Sequence, residues 1–204
     1  MITDTLVLSV ACIRQPALAQ RSARTLLIGA ATLAVRRSFG TYGFDLVADS
    51  STVTDDPAQT IAWLADRLRH PPARLLLWRA EDIVVPALIE CAGTARNVVA
   101  AARMLRGLHA ALEGEMVDVA DAFGGSAATS FDAIAHRAGL PFVPMSATAL
   151  AEAHRTGNHG DIEDHLAARA RATWRLWLDG QPDTGPVRAA TEAWLATPAA
   201  EVRS

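Results

Sequence analysis

The chain has 204 residues, half of them hydrophobic, and a formal net charge of −3 at pH 7. That length and apolar content suit one folded domain with a sizeable core and exclude a disordered chain. The mildly acidic balance excludes a globally basic protein that coats nucleic acid.

Every basic residue is Arg, since the sequence contains no Lys; planar guanidinium forks suit phosphate and carboxylate recognition. The opening MITDTLVLSVAC carries an acid where a signal peptide has its basic region, and Arg14 soon interrupts the apolar run. No apolar run reaches the roughly 20 residues of a membrane span, so a cytoplasmic protein without a membrane partner is expected. Cys12 and Cys91 sit in apolar segments and read as buried free thiols.

In chain order, Thr5 to Cys12 (TLVLSVAC) reads as a buried strand, followed by a loop with Pro16. Thr25 to Val35 and Gly40 to Ala48 read as two more strands, too close together for a helix between them and therefore antiparallel. Asp56 as cap and Pro57 at the first helical position open a helix with Ile61, Leu64 and Leu68 on one face, stopped by His70-Pro71-Pro72. Leu75 to Trp78 is a short apolar run of the kind covered on both faces. Ile83 to Cys91 and Arg96 to Ala111 read as helices parted by Gly93, and Met116 to Val119 as a fifth strand. From Ser130 the pattern is helical, broken at Gly139-Leu140-Pro141, Pro144, Gly157-Asn158 and Gly180, with a last helix from Val187 to Leu195 ahead of Pro198.

That element order predicts an α/β protein of the ribonuclease H-like fold: a five-stranded mixed sheet, three antiparallel strands plus two parallel, flanked by helices. Residues 1–180 form the predicted domain, and 181–204 the C-terminal helix and tail of the same domain.

Within Asp118 to Leu178 the chain reads DVADAFGG, SFDAIAHRAGLP and LAEAHRTGNHGDIEDHLAARARATWRLWL. A short strand, a helix ending in Gly-Leu-Pro, a second ending in Thr-Gly and a long amphipathic helix resemble the C-terminal half of a polymerase-B-like 3′-5′ exonuclease domain of the DnaQ-like superfamily. The resemblance implies hydrolysis of a terminal phosphodiester by two Mg²⁺ or Mn²⁺ ions, held by four carboxylates from three motifs. On the opening strand, Ser9 and Ala11 stand where Phe-Asp-x-Glu-Thr has its acids. The run Arg79 to Leu88 resembles Asn-x-x-x-Phe-Asp-x-Pro-x-Leu; Pro86 and Leu88 agree, which puts Arg79 at the Asn and Val84 at the acid. On the last helix, the approach from Gly157 to Glu163 and the run Ala172-Thr173-Trp174 follow the family, but Tyr-x-x-x-Asp has become His165-x-x-x-Arg169.

All four ligand positions have lost their carboxylates, and a guanidinium at a metal position repels the metal. The expectation is an exonuclease fold without exonuclease chemistry or cofactor, binding single-stranded nucleic acid or a nucleotide, with Arg79, His165 and Arg169 as a metal-free phosphate grip. One alternative is an active hydrolase holding Mg²⁺ or Mn²⁺ on displaced acids such as Asp82, Asp164 and Asp45. Another is a non-catalytic module that binds a protein partner or a second copy of itself, with Val187, Trp194 and Leu195 of the final helix as its face.

Other clusters read as structural. His154, His159 and His165 match no zinc spacing and suggest solvated helix ends, with His165 set apart by its family position. Gly124-Gly125-Ser126 lacks the Lys and spacing of a phosphate loop. Arg171 and Arg175 suggest a solvated helix face, and Trp174, Trp177 and Trp194 suggest core.

Overall fold

The computed structural model describes residues 4–15, 24–55, 58–127 and 129–197. The loop at Pro16, the Asp56-Pro57 helix start and the Pro198 tail lie outside those residues. The sheet has the order β3 (Thr41–Ser50), β2 (Arg24–Ser38), β1 (Thr5–Gln15), β4 (Arg74–Leu77), β5 (Glu115–Asp118). β1 pairs antiparallel with β2 and parallel with β4; β2 pairs antiparallel with β3, and β4 parallel with β5. Only β2 therefore runs against the others, which is the ribonuclease H-like arrangement.

The first three strands run further than their apolar patterns, because ladder hydrogen bonds form between backbones whatever the side chains. The β2–β3 hairpin continues through Arg37 opposite Tyr42 to Ser38 opposite Thr41. Its turn residues Phe39 and Gly40 have φ of 48° and 86°, and positive φ at both central positions marks the type I′ turn whose twist suits a two-residue hairpin.

Side chains alternate across the sheet, so LLLW feeds two cores. Leu75 and Leu77 join Leu6 and Leu8 beneath α1 (Gln59–Arg67), α2 (Val85–Gly93) and α3 (Val98–Leu112). Leu76 and Trp78 join Val7 and Ala11 beneath α4 (Phe131–Arg137), α5 (Ala147–Thr156), α6 (His159–Asp179) and α7 (Gly185–Leu195).

Two glycines set how closely the layers approach. A Cβ on Gly29 of β2 would lie 2.8 Å from both Ile162 and Leu166, so its absence lets α6 settle on the sheet. A Cβ on Gly107 of α3 would lie 2.7 Å from the Leu68 carbonyl oxygen, so α1 and α3 cross where only hydrogen fits. Helix α6 buries Ile162, Leu166, Ala170 and Trp174, one side chain per turn.

The apolar face of α7 is used inside the molecule. Val187 and Thr191 are buried, Trp174 Nε1 donates to Thr191 Oγ1 at 3.1 Å, and Trp194 stacks on Phe44 with centroids 4.9 Å apart. Among the described residues no helix is long and apolar enough to cross a membrane.

Candidate nucleic-acid interface

The middle of β1 and the C-terminal end of β4 lie against α6. Ser9 and Ala11 share the face of β1 that carries Val7 into the α6 core, and both are buried. Ser9 Oγ has no hydrogen-bond partner among the described residues. As β4 ends, the chain turns through Arg79, a non-glycine residue at φ 56° and ψ 57°, into a π-helical turn, Ala80–Val84.

One carboxylate holds that turn. Asp118, at the end of β5, accepts from Arg79 N at 2.8 Å, Ala80 N at 2.7 Å and Ala120 N at 3.0 Å. Sequence reasoning missed this role. An acid at a strand end before a tight 3-10 turn, Val119–Phe123, was the local clue, but two of its three donors come from the turn after β4, far along the chain. The Arg79 guanidinium reaches Asp82 and the Ser126 carbonyl, each at 3.4 Å, and its Nε is buried without a partner among the described residues. The Gly124-Gly125-Ser126 loop therefore offers Arg79 an acceptor.

Val84 is not brought to this face. It is buried with Ala80 and Leu88 in the core beneath α1 to α3, because the Pro86–Leu88 helix begins on the opposite side of the sheet. The displaced acids are also scattered. Glu81 and Asp82 are exposed on the π turn, Asp164 is exposed on α6, and Asp45 pairs with Arg67 at 3.0 Å. Among the described residues no three His, Cys, Asp or Glu side chains are grouped to hold a metal ion.

His165 and Arg169 face a run of rings instead. Trp78 meets Phe131 edge-on at 4.9 Å, Phe131 meets Phe142 at 5.2 Å, and Phe142 meets His165 at 5.4 Å. The Arg169 guanidinium carbon lies 4.5 Å over Phe131, a cation–π geometry. Burial lowers the Arg169 pKa, partly opposed by the charge of Asp132. His165 Nδ1 donates to the Val143 carbonyl at 3.4 Å. Burial holds the His165 pKa down, with repulsion from Arg169 adding to it, so the imidazole favours its neutral form. A stacked guanidinium with no ion pair among the described residues is a donor fork for an anion; the same charge repels a divalent cation.

Of the other two histidines, His154 is not solvated, while His159 opens α6 partly exposed yet hydrogen-bonded. His154 is buried and donates from Nδ1 to the Ser51 carbonyl at 2.7 Å. His159 contacts Ser50 Oγ at 2.8 Å and Asp55 at 3.1 Å, while Ser50 Oγ donates to Glu163 at 3.0 Å. These contacts clasp the start of α6 to the end of β3. Ser50 is buried and its proton is committed to Glu163, so the Ser-His-Asp grouping presents no open nucleophile. Arg175 pairs with Glu192 at 3.2 Å, and Trp174 and Trp177 are core residues.

No protein-family model and no curated protein matches the chain. Architecture alone defines its class: a mixed α/β protein of ribonuclease H-like topology.

Proposed function

We propose that this chain is a metal-free relative of the DnaQ-like exonucleases that binds single-stranded nucleic acid and does not cleave it. The observation that carries the reading is Arg169. It stands where the sequence resemblance puts the family's metal-binding Asp; its guanidinium lies 4.5 Å over Phe131 and has no carboxylate paired to it among the described residues. Ser9 Oγ and Arg79 Nε are further polar groups without partners among the described residues, a pattern typical of sites completed by a ligand or water. Charge-assisted bonds from Arg169 and Arg79 would grip the backbone phosphate, and neutral His165, its Nδ1 proton given to Val143, would leave Nε2 to accept from a base or sugar donor.

The test is binding of an oligothymidylate in EDTA. Arg169→Gln and Arg79→Gln should each weaken binding about 10-fold or more, as expected for a lost charged hydrogen bond. Each should also lower the salt slope by about 0.7 per phosphate contact removed. Unchanged affinity and slope in both folded variants would overturn the proposal.

A further inference from the structure

A second polar cavity, of about 410 Å³, opens at the other end of the sheet. It lies roughly 16 Å along β4 from the Arg79 turn, at about 3.3 Å per residue. Arg37 and Tyr42 reach it from the β2–β3 hairpin, Arg74 from the start of β4, and Trp177 from α6; Asp183 and Val187 line it near the start of α7. Its volume falls within the few hundred cubic ångströms usual for small-ligand sites.

Two guanidinium–aromatic pairs build the walls. Arg37 lies 5.9 Å over the Tyr42 ring and Arg74 lies 5.0 Å over Trp177. Arg74 gives one amino group to Glu115 at 2.7 Å, while its Nε is buried with no partner among the described residues. Arg37 has no ion pair among the described residues. Asp183 brings a carboxylate to the same cavity from a left-handed backbone, φ 53°. Just beyond, Phe39 stands fully exposed at the hairpin tip.

We infer that this cavity binds a nucleotide unit, a phosphate joined to a base, taken either as a free nucleotide or from a single strand. Arg37 supplies the unpaired fork that a phosphate requires. Tyr42 and the guanidinium planes supply stacking faces for a base. Asp183 is an acceptor for a sugar hydroxyl or an exocyclic amino group. An inorganic anion would leave the ring and the carboxylate unused. On a single strand, Phe39 offers a stacking face to the next base. The cavity shares no residue with the Arg169 site, so the inference stands apart from the proposal above.

Calorimetric titration of the full chain with adenosine monophosphate, inorganic phosphate and an octathymidylate tests it. The nucleotide should bind the unmodified chain, while Arg37→Gln and Tyr42→Leu each weaken it at least 10-fold. Phosphate alone should bind at least 10-fold more weakly than the nucleotide. An octamer that binds tighter than the nucleotide, with the gain lost in Phe39→Ala, makes a strand the ligand; equal affinities make it the free nucleotide. The inference fails if neither organic ligand binds near 1 mM, a very weak −4 kcal/mol or so. It also fails if Arg37→Gln and Tyr42→Leu bind normally, or if phosphate matches the nucleotide. Failure of the cleft reading would appear separately, as octamer binding unaffected by Arg169→Gln.

Discussion

Arg169 and His165 sit four residues apart on α6, and burial moves both toward their uncharged forms. For Arg169 the change is of little consequence, because a guanidinium stays protonated in any ordinary buffer. For His165 it is felt near neutrality. Its pKa lies below the usual 6.5 in the folded chain, so below that value the unfolded chain binds the proton more readily. Stability from this group is therefore complete above about pH 6.5 and is lost as pH falls through the folded value. Burial raises the pKa of Asp49 and Glu163. These two oppose the trend, since their burial cost is relieved as acid protonates them. Comparing His165→Asn with the unmodified chain isolates the histidine. Urea unfolding at pH 7.5 and 5.5 should show a smaller acid loss in the variant; equal losses would remove His165 from the account. Neither residue's surroundings could be read locally. Phe131, the ring beneath Arg169, is 38 positions away in sequence (169 − 131).

At the scale of elements, the strands and helices were legible because burial leaves a period in the sequence. The LLLW run shows its covered strand, and Leu64 and Leu68 show the inner face of α1. What stayed hidden depends on partners far along the chain. The π turn at Ala80–Val84 forms because Asp118 gathers the Arg79 and Ala80 amides. The match at Pro86 and Leu88 correctly marks a helix, yet the direction in which that helix leaves the sheet turns Val84 into the other core. The partners of His154 and His159, Ser50 at the end of β3 and Ser51 and Asp55 just after it, are invisible from α5 and α6. Gly107 gives this scale its own test. Alanine is the better helix former by nearly 1 kcal/mol, but its Cβ would meet the Leu68 carbonyl at 2.7 Å. Gly107→Ala should therefore lower unfolding stability by about 1–3 kcal/mol, the usual cost of overpacking. An equally or more stable variant would show that α1 and α3 can move apart freely.

At the scale of the whole molecule, the order of elements was sufficient to give the sheet. Three strands in succession make the antiparallel β1–β2–β3 meander, and each later strand arrives parallel after a helical crossover. The same fold carries two polar regions at opposite ends. One is the region of Ser9, Arg79, His165 and Arg169, proposed above as a metal-free cleft. The other is the hairpin cavity, which no motif announced because its arginines and rings come from four separate elements. The central claim is that the cleft holds nucleic acid without metal and without hydrolysis. The most direct measurement incubates the chain with a 5′-labelled single strand in Mg²⁺, in Mn²⁺ and in EDTA, following binding and strand length together. The account predicts equal binding in all three and a strand that keeps its full length. Stepwise shortening from the 3′ end in either metal, abolished by EDTA, would contradict it.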